Sequence, residues 1–269
     1  MERKNTFNEI AKEYEKYRPP YPEQLFRDIL DYTELKSNDE ILEIGCGTGQ
    51  ATRGFVNFGY SNITAIELGE NLAELTREKF KDRPSVRIIN SQFETWNHES
   101  AKYNLAISGT AFHFIQPQEL GYRKVFDLLE NQGSVAFFWT VHVPSYNEPY
   151  NEIRELYRKY APQLDDSQNP SLEQIIEDRS KLTLKDGLFT DLEVKHYTWD
   201  HLFTASEYIS LLNTNSRHRL VTEDIRNELF REIREVIESH GGNLVKPHAV
   251  ASFLAKKNPV EGHYSNGER

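Results

Sequence analysis

The stretch that decides the fold is residues 41–50, ILEIGCGTGQ, in which a short apolar run leads into glycine at every second position. This pattern is typical of a strand that turns into a helix with bare backbone facing a ligand. A dinucleotide-binding fingerprint needs a third glycine where Gln50 stands. Glu43 lies two residues before Gly45 and therefore on the same face of the strand. A carboxylate there would repel a pyrophosphate, so the stretch favours a ligand that carries a cation.

Apolar strands and helical patterns alternate on both sides of this stretch. The spacing predicts strands and helices in the following order: strand 41–44, helix 50–58, strand 62–67, helix 70–81, strand 86–90, strand 103–108, helix 117–130 and strand 134–140. Such alternation predicts an α/β fold with a parallel sheet covered on both faces by helices. Ligands of these sheets bind beyond the carboxyl ends of the strands, which is where the glycines lie.

The segments before and after this core are predicted to be mostly helical. Residues 5–18 have aromatic and aliphatic side chains on one helical face, and residues 147–186 are polar and helical. Strands are predicted at 192–200 and 244–254, with helices at 204–214 and at 223–239, the latter between Thr222 as N-cap and Gly241. We divide the chain into lid helices and ligand-binding core (1–140), a helical acceptor-side cover (141–190), the elements that complete the sheet (191–258) and a polar tail (259–269).

The composition is that of an acidic globular protein with a substantial core. The 269 residues are 38% hydrophobic and carry a net charge of −10, which argues against nucleic-acid binding and against an anionic membrane surface. No apolar run approaches the roughly 20 residues of a membrane span, so we expect a cytoplasmic protein. A single cysteine, Cys46, excludes an internal disulfide and a cysteine-based zinc site, and no ligand spacing predicts a metal.

Two further polar features follow the second and third strands. Glu67 ends the second strand, where a carboxylate can accept hydrogen bonds from both hydroxyls of a ribose. After the third strand, Ser91, Gln92, Phe93 and Glu94 offer an amide, an apolar face and an acid that suit an adenine. Glycine backbone, a ribose-binding acid, an adenine pocket and a cation-tolerant acid together indicate S-adenosylmethionine, a ligand without phosphate.

These residues, together with the segment from Tyr103 to Phe114, resemble class I S-adenosylmethionine-dependent methyltransferases. The similarity is greatest to the small-molecule branch that includes trans-aconitate methyltransferase-like proteins, and it covers most of the chain. It implies a Rossmann-like, seven-stranded, mostly parallel sheet whose last strand is antiparallel, with helices on both faces and a helical cover. Many members have Asp where Gln92 stands.

The resemblance implies a cofactor site along the carboxyl edge of the sheet. The residues expected to bind S-adenosylmethionine are Tyr14, Arg18, Glu43, Gly45, Cys46, Gly47, Gly49, Glu67, Leu68, Gln92, Phe93, Glu94, Ser108 and Gly109. The helix with Tyr14 is interpreted either as a lid, with Arg18 meeting the methionine carboxylate, or as an ordinary docked helix.

The methyl acceptor is expected to be a small molecule with a carboxylate or hydroxyl group. His113 is the candidate catalytic base, and the competing interpretation is a histidine that packs against the cofactor. An Arg-His-Arg cluster at 217–219 could hold an anionic acceptor. Further candidates for the acceptor pocket are Trp139, His142, Tyr146, Tyr150, Asn213 and Ser216.

Two other functions remain open from the sequence. The chain could bind S-adenosylmethionine without catalysis, or it could be an NAD-dependent oxidoreductase, which Gln50 and Glu43 oppose. A nucleic-acid or protein methyltransferase is disfavoured by the acidic charge and by the aromatic-rich cover, which suggests a closed cavity.

Overall fold

A computed structural model describes residues 11–97, 103–165 and 169–259. Seven strands form one sheet in the order β3-β2-β1-β4-β5-β7-β6. The strands are β1 (Ile41–Ile44), β2 (Ile63–Glu67), β3 (Val86–Asn90), β4 (Tyr103–Gly109), β5 (Leu129–Val141), β6 (Phe189–Thr204) and β7 (Asn243–Lys257). β1 to β5 pair in parallel, and β7 runs antiparallel to both β5 and β6. The predicted seven-stranded sheet with an antiparallel last strand is confirmed.

Ten α-helices connect and cover these strands in the described part of the chain. They are α1 (Ala11–Tyr17), α2 (Glu23–Thr33), α3 (Gln50–Asn57), α4 (Glu70–Lys79), α5 (Gln118–Leu128), α6 (Glu148–Tyr160), α7 (Leu172–Leu184), α8 (Ala205–Asn213), α9 (Ser216–Arg219) and α10 (Glu223–Ser239). α10 has the predicted bounds. Thr222 occupies its N-cap position but its side chain makes no capping hydrogen bond there.

Both faces of the sheet are buried because successive side chains of the central strands point to opposite faces. In β5, Phe137 and Trp139 belong to one apolar cluster, whereas Ala136 and Phe138 belong to the other. A third cluster joins α6, α8 and α10 and lies above the carboxyl edge of the sheet. This helical layer is what encloses the space beyond the strand ends.

The structure divides the predicted cover at 141–190 in two. Ile175, Ile176 and Leu182 of α7 pack on the sheet cluster that contains Phe137. Among the described residues of this segment, those of α6 and of its flanking stretches, from Val141 to Asn169, line a cavity. α7 therefore covers a sheet face and not an acceptor, because its apolar side chains match that face. The boundaries at residues 140, 190 and 258 stay predictions.

β6 and β7 extend several residues beyond their predicted limits. β6 is an edge strand with many partly exposed side chains, among them the charged Glu193 and Lys195. A bulge interrupts the β6–β7 register at residues 190–193, and Asp191 there has a φ of 53°. The predicted strand 192–200 is the regular part of β6 after this bulge.

Candidate active site

The loop after β1 bends sharply because all three of its glycines have positive φ, from 56° to 76°. A Cβ on Gly45 would lie 2.5 Å from the Ala111 Cβ, and one on Gly49 would lie 2.8 Å from the Phe80 ring. These two glycines are required by the packing of the protein itself. A Cβ on Gly47 would meet no atom within 4 Å. Gly47 is therefore the glycine whose bare backbone faces open space.

A cavity of about 270 Å³, which we call the glycine-loop cavity, opens against this loop. Its wall comes from the carboxyl ends of β1 to β4 and from the loops that follow them. Among the described residues its charged lining groups are three carboxyls, of Glu43, Glu67 and Glu94, and one guanidinium, of Arg18. This set of groups suits a cationic ligand without phosphate.

Glu67 is held rigidly at the end of β2. Its Oε2 accepts a hydrogen bond from the Gly47 N–H and its Oε1 accepts one from the Gly69 N–H, both at 2.8 Å. Burial raises the pKa of this carboxyl, an effect that the two N–H donors oppose. Each oxygen keeps a second lone pair. A pair of ligand hydroxyls therefore has two oriented acceptors at this position.

Glu43 is buried in the wall of the same cavity, with an exposed fraction of 1%. Its Oε2 accepts a hydrogen bond of 2.5 Å from the Thr52 hydroxyl. Burial raises the pKa of the Glu43 carboxyl from its ordinary value of 4.5 to about 8. The group is therefore mostly neutral at pH 7, and a cation in the cavity would favour its ionised form.

The opposite end of the cavity is apolar with a polar edge. Phe93 is buried, Gln92 is half-buried, and the exposed Leu68 lies across from them in the lining. The Lys124 ammonium sits 5.0 Å from the centre of the Phe93 ring and donates to the Phe93 carbonyl at 2.6 Å. Lys124 thus fixes the loop after β3, which forms this end of the cavity.

Most of the predicted cofactor residues lie in this one wall. The lining includes Arg18, Glu43, Gly45, Cys46, Gly47, Glu67, Leu68, Gln92, Phe93, Glu94 and Gly109. Two predicted residues do not line it. Gly49 packs against α4, and the buried Ser108 hydroxyl donates to the Ile44 carbonyl at 2.7 Å. Tyr14 lies in α1, and its side chain is outside the described residues.

His113 lies in a short 3₁₀ helix, Phe112–Phe114, that follows β4. Its Nδ1 accepts a hydrogen bond of 3.2 Å from the Trp139 indole N–H, and its ring packs on Phe114 at 4.1 Å. It lines the glycine-loop cavity. An Nδ1 that accepts from an indole keeps the proton of the neutral ring on Nε2, which favours packing over the role of a base. The catalytic role of His113 stays a prediction.

The N-terminal segment is fastened over the glycine loop and the helical cover. The Arg18 Nε donates to the Thr214 hydroxyl at 3.0 Å, and the Gln50 amide donates to the Arg18 carbonyl at 3.2 Å. Glu15 pairs with Lys79 at 2.7 Å and with Arg53 at 3.3 Å. α1 is thereby tied to α3 and α4, as a lid over the glycine loop would require.

A second cavity of about 280 Å³, which we call the cationic cavity, lies under the helical cover. Four cationic side chains line it: Arg18, Arg154, Arg217 and Lys246. The one carboxyl among its described lining residues is that of Asp165, which pairs with Arg158 at 3.2 Å. In a chain of net charge −10, this concentration of positive charge could hold an anion.

The far wall of the cationic cavity is formed by α6 and α9. The Arg217 guanidinium donates to the Asn169 side-chain oxygen at 3.3 Å and to the Gln163 carbonyl at 2.7 Å. His218 is buried, with its Nε2 2.7 Å from the Tyr157 hydroxyl. Burial, reinforced by the charge of Arg217, lowers the pKa of His218 to about 3. The ring is therefore neutral, and Arg154 and Arg217 supply the charge of this wall.

The two cavities share a wall of five residues: Arg18, Tyr21, Gln50, Thr110 and Asn215. The Tyr21 and Thr110 hydroxyls lie 3.2 Å apart in this wall. Of the five, only Arg18 is predicted from the sequence to bind a ligand. The available signal was Tyr21 itself, a lone aromatic residue between Pro20 and Pro22, where the prolines fix its backbone.

The candidate acceptor residues separate into three groups. His142, Tyr150, Arg217 and His218 line the cationic cavity, and Ser216 lines the glycine-loop cavity. The others, Trp139, Tyr146, Asn213 and Arg219, line neither cavity. Trp139 is buried beside His113, and Tyr146 is 73% exposed. Only the first group has access to a ligand in the cationic cavity.

No helix in the described part of the chain is both long enough and apolar enough to cross a bilayer. No set of three or more His, Cys, Asp or Glu side chains in this part of the chain is arranged to hold a metal ion.

Known proteins that resemble this chain include methyltransferases. A family model described as a methyltransferase domain matches residues 41–133. Malonyl-[acyl-carrier protein] O-methyltransferase 1 of Ilyobacter polytropus is 30% identical over 168 residues, which cover 60% of this chain and 59% of that protein. The malonyl-[acyl-carrier protein] O-methyltransferase of Acetivibrio thermocellus is 24% identical over 272 residues, which cover 93% of this chain and 92% of that protein.

Solved structures share the fold at low sequence identity. Phosphoethanolamine N-methyltransferase 2 of Haemonchus contortus, in complex with phosphomonomethylethanolamine and S-adenosylhomocysteine, matches with a TM-score of 0.55 and 16% identity. The match covers 93% of this chain and 57% of that one. The common fold includes the sheet edge at which both cavities of this chain lie.

Proposed function

We propose that this chain, as a class I S-adenosylmethionine-dependent methyltransferase, methylates a carboxylate oxygen of a small-molecule acid bound in the cationic cavity. The observation that carries the proposal is the charge of that cavity. Four cationic side chains line it, against one carboxyl among the described lining residues. A carboxylate pairs with guanidinium groups in a two-pronged geometry.

The glycine-loop cavity is the proposed place of the cofactor. We expect Glu67 to accept hydrogen bonds from the ribose hydroxyls, the Gly47 backbone to lie against the ligand, and Glu43 to face its cationic part. Phe93 and Gln92 would contact the adenine. When bound, S-adenosylmethionine supplies an electrophilic methyl group on a sulfonium centre.

The residues of the cationic cavity would bind and orient the acid. A carboxylate is already ionised at neutral pH, so its methylation needs no base, in agreement with the hydrogen bond that Trp139 donates to His113. Arg217 and Arg154 supply charge. Positioning of two reactants can alone provide effective molarities of about 10⁵–10⁸ M.

An acceptor panel tests this function directly. The purified chain is incubated with S-adenosylmethionine labelled in its methyl group and with carboxylic acids, phenols and amines, each at the same concentration. The acids include a malonyl thioester, because two similar proteins are named for a malonyl group on acyl-carrier protein. Label that alkali releases as methanol identifies a methyl ester. Label that resists alkali on a phenol or an amine would contradict the proposal.

A matched pair of variants tests the role of the charge. Arg217→Gln removes a cation that lines the cavity, whereas Arg219→Gln removes one from the same short helix that does not. A hydrogen bond to a charged group contributes about 1.5–3 kcal/mol. We therefore expect Arg217→Gln to raise the KM of the acid about 10- to 100-fold, and Arg219→Gln to leave it within about twofold. Equal effects of the two variants would refute the role of Arg217.

A further inference from the structure

Tyr21 has an unusually well-fixed position between the two cavities. Pro20 and Pro22 flank it, so its backbone is confined to the extended region, and Pro22 has a φ of −64°. The Tyr21 ring meets Phe138 edge-on, with 4.8 Å between ring centres. A Cβ on Gly109 would lie 2.8 Å from the Tyr21 hydroxyl oxygen, so the glycine makes room for this hydroxyl. Backbone, ring and hydroxyl are each held by a separate contact.

Thr110 holds the hydroxyl of Tyr21 at the cost of backbone strain. Its φ is 57°, a left-handed conformation that β-branched residues rarely adopt and that is concentrated at functional sites. The Thr110 Oγ1 accepts a hydrogen bond from the Thr140 N–H at 3.2 Å and lies 3.2 Å from the Tyr21 hydroxyl. The Thr110 N–H donates to the Phe138 carbonyl at 2.8 Å. The strained residue thus joins the ends of β4 and β5 to Tyr21.

Both hydroxyls belong to the wall that the two cavities share. A group that passes from the glycine-loop cavity to a ligand in the cationic cavity must pass this wall. The shared wall also contains Arg18, so an anion is favoured on its cationic side.

We propose that the Tyr21 hydroxyl orients the acceptor for methyl transfer, and that Thr110 is its positioning residue. The proposal rests on the proposed function, because it assigns the phenol to the acid in the cationic cavity. The Thr110 hydroxyl donates to Tyr21, and Tyr21 donates to the carboxylate oxygen that does not react. The other oxygen then faces the methyl group. That oxygen forms the bond to the methyl carbon as the carbon–sulfur bond breaks, the electron pair of that bond stays on sulfur, and no proton is transferred.

The contribution of Tyr21 is orientation and not stabilisation of charge, because the carboxylate loses its charge as the ester forms. A misplacement of about 1 Å can lower a rate about 100-fold. The loss of the hydroxyl is therefore expected in kcat more than in the affinity for either ligand. A loss of kcat without a loss of ligand affinity distinguishes an orienting role from a role in folding, because a folding defect would change cofactor affinity and Tm as well.

The test compares four variants on the acid that the wild type methylates fastest in the panel. Tyr21→Phe keeps the ring on Phe138 and removes the hydroxyl, and we expect kcat to fall about 10- to 100-fold. Thr110→Val should lower kcat in the same direction, and Thr110→Ser, which keeps the oxygen, should recover most of the activity. Tyr32→Phe is the matched control, since its hydroxyl donates to the Asp191 carbonyl at 2.6 Å and lines neither cavity. Binding of S-adenosylhomocysteine and Tm are measured for each protein.

The outcomes separate this proposal from the proposed function. A kcat of Tyr21→Phe within threefold of wild type, or a drop matched by weaker S-adenosylhomocysteine binding, overturns the orienting role. If the wild type methylates only phenols or amines, the carboxylate acceptor is wrong, and the same variants assayed on that acceptor decide the orienting role separately. Absence of turnover on every class, with S-adenosylhomocysteine bound, overturns both.

Discussion

Replacement of Glu43 by glutamine should make the protein less sensitive to alkaline pH. The Glu43 carboxyl is 1% exposed, and its hydrogen bond among the described residues comes from the neutral Thr52 hydroxyl. Burial raises its pKa from 4.5 to about 8. Glutamine has the same shape and keeps an oxygen for Thr52, but it carries no proton that dissociates. The variant therefore isolates the cost of ionising one buried acid.

The sign and size of the effect follow from the two pKa values. The folded state holds the Glu43 proton at pH values where the unfolded chain has released it, so the stability due to this proton is complete below about pH 4.5. It declines as the pH rises and is lost by about pH 8, at about 1.4 kcal/mol for each step of one in pH. Between pH 5 and pH 8, the wild type should lose about 3–4 kcal/mol of unfolding free energy relative to Glu43→Gln.

Urea unfolding at pH 5, 6, 7 and 8 measures this difference by linear extrapolation for both proteins. The quantity to follow is how the difference in unfolding free energy between the two proteins changes with pH, because all other titrating groups are common to both proteins. The exposed Glu74, replaced by glutamine, provides the control and should give a difference that does not vary. A Glu43→Gln difference that stays constant within about 1 kcal/mol over this range would refute the burial argument, since it predicts several times that change.

Two further predictions concern the glycine-loop cavity. Glu67→Ala removes both acceptors at the ribose position. In calorimetric titrations, we expect the wild type to bind S-adenosylhomocysteine with micromolar affinity and the variant to show no detectable binding. NAD⁺ binding by the wild type would contradict the cofactor assignment. His113→Phe keeps an aromatic ring in the wall of the cavity but removes the acceptor of the Trp139 N–H. Because that hydrogen bond holds the side chain in the wall, the variant should weaken S-adenosylhomocysteine binding about fivefold, with an unchanged pH profile of kcat on an acid. If the fall of kcat at low pH disappears from that profile in the variant, His113 acts instead as a base.

Local patterns in the sequence were sufficient to predict the sheet and one side of the site. Residues 41–50 contain the strand, the turn and Glu43 within ten positions, and Glu67 ends the next strand. Each of these features depends on neighbours in the chain or on the adjacent parallel strand. The parallel register then brings them to one edge automatically.

Contacts between distant segments explain what the sequence could not predict. Gly45 and Gly49 pack against Ala111 and Phe80, and neither contact is visible in the glycine pattern itself. The cationic cavity takes Arg18, Arg154 and Lys246 from three separate parts of the chain. A site assembled in this way has no spacing to recognise, so the four cationic side chains became a group only in three dimensions.

The wall shared by the two cavities has a consequence for the order of events in each catalytic cycle. Arg18, Tyr21 and Thr110 each line both cavities. A ligand that orders these side chains in one cavity therefore also orders them for a ligand in the other cavity. If the first ligand changes the affinity for the second by some factor, the second must change the affinity for the first by the same factor. We therefore expect cofactor and acid to bind cooperatively. The ester product is neutral and is no longer attracted to the cationic side chains. The demethylated cofactor and the ester would then weaken each other's binding and dissociate together.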